Sequence, residues 1–132
     1  MLVQTPGFVN GAPLLLLRAE GLAIALASIA AFSGSGASWP LFAALILAPD
    51  LSMLFYLLGP RSGAAAYNAV HTYVGPALLF AASAAFGAPA GTAVALIWSA
   101  HIGIDRALGF GLKYSEGFGF THLGRVGRQA PG

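Results

Sequence analysis

Four apolar runs, each near the roughly 20 residues needed to cross about 30 Å of hydrocarbon, set the terms for this chain. They cover about Leu14 to Phe32, Trp39 to Leu58, Ala64 to Phe86 and Ala88 to Leu112. Breakers stand between them: Ser33-Gly34-Ser35-Gly36, Gly59-Pro60-Arg61-Ser62-Gly63 and Gly87-Ala88-Pro89. Loops this short make consecutive helices antiparallel neighbours. The expected fold is all-α: an integral membrane antiparallel four-helix bundle, forming one transmembrane domain over residues 1–132 with a tail at 113–132.

Composition removes the alternatives. Hydrophobic residues make up 58% and charged residues 8%, against about 25% charged in an ordinary globular protein. Six Lys or Arg and four Asp or Glu cannot cover the surface of a soluble domain of 132 residues. Disordered chains are poor in apolar residues, so disorder fails as well. The absence of Cys excludes disulfide frameworks, thiolate metal sites and cysteine nucleophiles. A net charge of +2 is too small to call for nucleic acid, and no such partner is expected. No Lys or Arg precedes the first apolar run, which itself holds Arg18 and Glu20, so a secretory signal is not expected.

The positive residues orient the spans. Arg18, Arg61, Arg106, Lys113, Arg125 and Arg128 all fall on or near the side shared by the termini and the Gly59–Gly63 loop, and the other two loops hold none. Positive residues favour the cytoplasmic face. Both termini are therefore expected in the cytoplasm.

The expensive residues are Glu20, Asp50, His71, His101 and Asp105, all within the spans. An ionisable group at a helix centre costs about 2.5–3.5 kcal/mol on insertion scales. At 1.5 Å per residue Glu20 lies roughly 9 Å in from the cytoplasmic end, His71 and Asp105 about 10 Å, and Asp50 and His101 near mid-depth. All four helices thus feed one layer in the cytoplasmic half. His101 and Asp105, four apart, share a face of the fourth helix. Tyr67, Asn68 and His71 share a flank of the third. Pro49 removes a backbone donor just ahead of Asp50 and is expected to kink the helix and free a carbonyl there.

Two His and several carboxylates are the ligands that zinc, manganese or iron take when no thiol is present. Asp50, His71, His101 and Asp105 are the candidate ligands, with Glu20 a further ligand or a general base. Tyr67, Asn68, Arg106 and His122 are candidate supporting residues, Thr121-His122 folding back over the cytoplasmic mouth and Arg18 and Arg106 pairing with the acids. Three other readings use the same residues: ion pairs that fix helix register, His71 and His101 as axial ligands of haem or another tetrapyrrole, and an ion relay. Rows of small residues offer close helix contacts: Ala23, Ala27 and Ala31; Ala77, Ala81 and Ala85; and Gly91, Ala95, Ser99, Gly103, Ala107 and Gly111.

The runs Leu17-Arg18-Ala19-Glu20-Gly21, Ala48-Pro49-Asp50-Leu51-Ser52-Met53, Gly59-Pro60-Arg61 and Ala66-Tyr67-Asn68-Ala69-Val70-His71-Thr72-Tyr73 carry a family likeness. So do His101-Ile102-Gly103-Ile104-Asp105-Arg106-Ala107-Leu108-Gly109, Gly111-Leu112-Lys113-Tyr114 and Thr121-His122-Leu123-Gly124. Together, from about Leu14 to Arg128, they resemble the small bacterial membrane family known as domain of unknown function 4260. That resemblance implies a four-span protein of the bacterial inner membrane and brings no established activity. Pro49-Asp50-Leu51 and His101-x-x-x-Asp105 are also similar to fragments of the membrane-bound metal-dependent hydrolases. In this chain Ser52 and Met53 stand where those proteins have a further acidic residue or His.

Two functions of different kinds follow. One is a metal-dependent enzyme, hydrolase-like, acting on a lipid-linked or amphiphilic substrate in the bilayer. The other is a non-enzymatic accessory subunit or assembly factor of a larger membrane complex, or a homo-oligomer, since little mass lies outside the spans.

Overall fold

A computed structural model describes residues 9–114 and 120–125. Helix α1, Gly11–Gly34, is the first apolar run. Helix α2, Trp39–Leu45, opens on Ser38, whose Oγ accepts the Leu41 N–H. It then stops, short of the span expected of it. Pro49 has no N–H, and its ring crowds the carbonyl four residues earlier, which is that of Leu45. The chain resumes as a 3-10 segment, Ala48–Leu58, unusually long for that geometry.

Helix α3, Pro60–His71, follows Gly59 directly, so most of the expected Gly59–Gly63 loop is helix. Gly59, at φ 112°, makes the turn alone, and Pro60 suits the first helical position. The third span is broken too. Thr72 is extended, at φ −94° and ψ 150°, four residues before Pro76. Helix α4, Val74–Phe86, continues beyond it. Helix α5, Pro89–Leu108, ends four residues earlier than expected, at Gly109 in the left-handed region. Gly109 N–H bonds the Arg106 carbonyl and Phe110 N–H that of Asp105, the paired closure of a Schellman motif.

The wholly helical expectation needs one addition. Phe120–Thr121 (β1) and Gly124–Arg125 (β2) form a small antiparallel hairpin, and Lys113 bridges to Thr121. Three stretches are long and apolar enough to cross a membrane: Gly11–Gly34, Trp39–Leu58 and Pro60–Phe86, with mean hydropathies of 1.9, 2.0 and 1.4. Helix α5 is not among them. It carries His101, Asp105 and Arg106 and buries a larger part of its surface, including Ala93, Ile97, Ala100 and Ile102.

Contacts between α1 and α5 pair rising numbers with falling ones. Arg18 Nε donates to the Ala107 carbonyl at 2.8 Å. Gly21 meets Arg106, Gly103 meets Ala25, and Phe32 packs with Ala93 and Ile97. The rings of Trp39 and Phe42 stand edge-on to Phe32 at 5.0 and 5.2 Å. On α1 the buried row is Gly21, Ala25, Ser28 and Phe32, and Ala23, Ala27 and Ala31 are exposed. Ala77, Ala81 and Ala85 of α4 are likewise exposed. In lipid an outward-facing alanine carries no penalty, so a small-residue row does not mark its own partner face. The row from Gly91 to Gly111 is the one that packs, with Ala95 and Gly103 buried on α5 and Gly111 buried beyond its end.

Candidate metal centre

Both proline breaks place polar groups beside α5. Asp50 sits in the first turn of the 3-10 segment, and His71 is the last residue of α3. On α5, His101 and Asp105 are one turn apart, with Nε2 and Oδ2 separated by 3.2 Å. His101 Nε2 lies 3.1 Å from Asp50 Oδ1 and 3.2 Å from His71 Nε2. His71 Nε2 lies 3.3 Å from Asp50 Oδ1 and 3.6 Å from Asp105 Oδ2. One ligand atom from each residue falls within 4.8 Å of every other.

The second nitrogen of each imidazole decides what these contacts can be. His71 Nδ1–H donates to the Tyr67 carbonyl at 2.9 Å, and His101 Nδ1–H donates to the Ile46 carbonyl. A neutral imidazole that donates through Nδ1 has only a lone pair at Nε2. With both rings neutral, two lone pairs and two carboxylate oxygens point at one another. That convergence favours a cation between them, and backbone acceptors on the far nitrogens are the usual support of metal-bound His. A tetrahedron with arms of about 2.0–2.1 Å has edges of about 3.3–3.4 Å. The five separations above run from 3.1 to 3.6 Å.

The Ile46 carbonyl is available because the helix breaks. In a continuous α-helix it would accept the Asp50 N–H, which here bonds Leu47 instead, at 3.1 Å. Pro49 thus orients His101 through a backbone group. Pro49→Ala is expected to let α2 run on and withdraw that carbonyl, lowering divalent-metal affinity about 10–100-fold, the usual cost of losing such a support. Competition against a chromogenic chelator measures it, and unchanged affinity would show that Pro49 does not control the break.

The surrounding residues hold this arrangement. The Tyr67 ring stacks on His71 at 3.7 Å and 6°, with the Lys113 ammonium 4.7 Å from the Tyr67 ring centre. Asn68 accepts the Lys113 N–H at 2.6 Å and donates to its carbonyl at 2.8 Å, tying the chain after α5 to α3. Arg106 Nη2 donates to the His71 carbonyl and Trp98 Nε1 to that of Val70, satisfying the end of α3 from α5. Arg18 and Arg106 thus bond backbone carbonyls, where pairing with the acids was expected. Trp98 and the Ile46 carbonyl went unread in the sequence as site components. Trp98 alone had a local signal, one turn before His101.

His71 and His101 are 2% and 4% exposed, whereas the side chains of Asp50 and Asp105 are 38% and 19% exposed. The cluster opens through its carboxylates into a cavity of about 310 Å³ lined by Asp50, Met53, Tyr67, Asp105, Phe110 and Lys113. Burial pushes the Lys113 amine below its ordinary value, with Asp105 and Asp50 opposing. No slot for a tetrapyrrole separates the two imidazoles. Axial ligands on opposite faces of a macrocycle cannot have nitrogens 3.2 Å apart with carboxylates packed against both.

Glu20 is not brought to this cluster. It is exposed and lines a separate recess of about 110 Å³ with Tyr73, Arg106 and His122. Consecutive residues on a helix point about 100° apart, so Arg106 serves that recess while Asp105 serves the cluster. His122 does fold back. Its Nδ1 accepts the Leu112 N–H at 2.8 Å, and its carbonyl accepts the Val9 N–H at 3.0 Å.

Burial and the nearby Arg106 charge hold the His122 imidazole below its ordinary value. The docked tail therefore takes up a proton less readily than a free one, and docking is complete above about pH 6.5. It weakens as the pH falls from there toward the lower docked value. Amide exchange at Leu112 is expected to speed up over that interval beyond its intrinsic pH trend. The acceleration should vanish in His122→Gln, and its persistence there would assign it to another group.

A helical chain with three membrane-length apolar stretches and a His–Asp cluster at its broken helices is the class these features define. The chain belongs to the family described as Domain of unknown function (DUF4260), whose model matches residues 14–126. No curated protein and no solved structure matches it.

Proposed function

We propose that this is a multi-pass protein of the bacterial inner membrane that holds a divalent metal ion at Asp50, His71, His101 and Asp105 and acts as a hydrolase on a lipid-type substrate. The observation that carries the metal is the pair of Nδ1–carbonyl hydrogen bonds, which turns both Nε2 atoms toward two carboxylates. Nitrogen and carboxylate donors suit zinc, manganese or iron. Such an ion supplies Lewis-acid chemistry, polarising a phosphoryl or carbonyl oxygen.

The residues of the chain supply the rest. Tyr67 and the two backbone carbonyls orient the imidazoles, and Asp50 and Asp105 face the cavity from which a substrate reaches them. Glu20, on the other recess, is left out of the catalytic set. In this reading α5 is the fourth span, the helices form an antiparallel bundle, and both termini face the cytoplasm with the positive residues.

Anomalous diffraction at the zinc, manganese and iron edges tests the metal. A peak within ligand distance of all four side chains is expected, and its absence from crystals grown with each metal would end the reading. Chelator-sensitive release of phosphate or fatty acid from reconstituted lipid would establish the hydrolase. A loaded centre inert toward both classes of lipid would leave a metal protein of another kind.

A further inference from the structure

The recess that holds Glu20 is assembled from four segments far apart in the chain. Leu17, Glu20, Gly21 and Ile24 give it one stripe of α1, at the spacing of a single helix face. Tyr73 comes from the break between α3 and α4, Arg106 from the last turn of α5, and His122 from the turn of the hairpin. None of the four candidate metal ligands lines it. At Gly21 the two helices meet so closely that an added Cβ would overlap that of Arg106. Even so, Glu20 forms no ion pair among the described residues. Arg106 Nη2 donates instead to the His71 carbonyl, at 3.1 Å.

The lining carries polar groups that the chain itself does not satisfy. The Tyr73 hydroxyl is buried without a hydrogen-bond partner among the described residues, which costs free energy until something meets it. His122 Nδ1 accepts the Leu112 N–H, so the ring proton is on Nε2, a second donor. Arg106 has five N–H donors, of which the His71 carbonyl takes one. Glu20 supplies the opposite character, an exposed carboxylate. Glu20 repels a simple anion and Arg106 a simple cation, so a ligand that carries both charges fits best.

The place of the recess along α1 gives the source of that ligand. Arg18 and Glu20 are the two charged residues of the helix, and residues 21–34 hold none. The recess therefore lies at the polar end of a membrane-length helix, beside the exposed Leu16 and Leu22. From these placements we propose that it binds a phospholipid head group that joins a phosphate to a primary ammonium. The phosphate bonds Tyr73, His122 and Arg106, the ammonium pairs with Glu20, and the acyl chain lies outside against α1. At about 110 Å³ the recess is well below the roughly 300–1,000 Å³ of ordinary small-molecule sites, enough for a head group without its chain. A quaternary ammonium has no N–H to give Glu20 and is recognised by cages of aromatic faces, whereas this lining offers a single tyrosine. None of the candidate metal ligands takes part, so the lipid site is independent of the metal.

Native mass spectrometry of the full chain in dodecyl maltoside measures the binding. The probes are palmitoyl lysophosphatidylethanolamine and its choline and glycerol counterparts, which share the chain and the phosphate. One ethanolamine lipid per chain is expected, held about tenfold more tightly than either counterpart, the worth of one hydrogen bond to a charged group. Glu20→Gln should bring the three lipids level. Glu20→Lys should turn the preference to the glycerol lipid, a reversal that loss of folding cannot imitate. Tyr73→Phe removes one donor to the phosphate and should weaken all three lipids by about tenfold. Circular dichroism confirms that each variant is folded.

Equal binding of the ethanolamine and choline lipids by the wild type overturns the proposal, as does a preference that folded Glu20→Gln retains. Free phosphoethanolamine that binds as tightly as the lipid overturns it too, since the recess would then serve a soluble zwitterion.

Discussion

Protein purified in mild detergent without chelator is expected to carry close to one divalent ion per chain, and His101→Ala is expected to lose it. The substitution deletes one of two nitrogen donors and leaves the Asp50 and Asp105 oxygens facing only His71. His71→Ala should behave alike and also unstack Tyr67. Stability follows occupancy, because an ion that binds the folded chain at a free concentration 100 times its Kd stabilises it by about 2.7 kcal/mol. Stripping the wild type should therefore lower its thermal midpoint, and adding metal back should restore it. The alanine variants should show neither response. Stoichiometric metal in the His71→Ala, His101→Ala double variant would place the ion elsewhere.

The second large effect is mechanical. A Cβ at Gly103 would stand 2.6 Å from the Gly21 carbonyl oxygen and 2.7 Å from the Ala25 nitrogen. Both are backbone atoms of α1, so no side chain can rotate away, and only separation of the helices relieves the overlap. Gly103→Ala is expected to destabilise the protein by about 1–3 kcal/mol, the range for overpacking a close interface, and Gly103→Val by more. His101 and Asp105 flank Gly103 on α5, so metal affinity should fall with it. Gly34→Ala, with nothing within 4 Å of the added atom, is the matched control. Unfolding midpoints in detergent measure both. Equal midpoints for the two alanine variants would mean that α1 and α5 do not approach this closely in the membrane.

The site and the fold were legible to different degrees. The cost of an ion in hydrocarbon singles out Asp50, His71, His101 and Asp105, and helix periodicity sets the last two on one face. Pro49 was likewise readable as a helix breaker. Pro76 is the same device one span later. It was hidden because Val74-Gly75-Pro76-Ala77 lies inside an apolar run that satisfies a count of membrane-length residues. Glu20 obeys the same depth arithmetic as the others and still faces another recess. Depth is one coordinate, and rotation about the helix axis is a second that spacing within one helix cannot relate to its neighbours.

Sequence by itself determined that the chain builds apolar helices of membrane length, where prolines could interrupt them, and which side chains are too costly to sit there without a partner. These are properties of single residues and their near neighbours, and each carries its free energy locally. Tertiary structure decided the rest. It paired Gly21, rather than the Ala23 row, with α5, and it supplied the Ile46 carbonyl that turns His101 toward Asp50. It also placed Lys113 over Tyr67 and opened the two carboxylates of the cluster onto one cavity. Each of those depends on distances between segments far apart in the chain, set by which backbones can approach most closely, and no local preference encodes that.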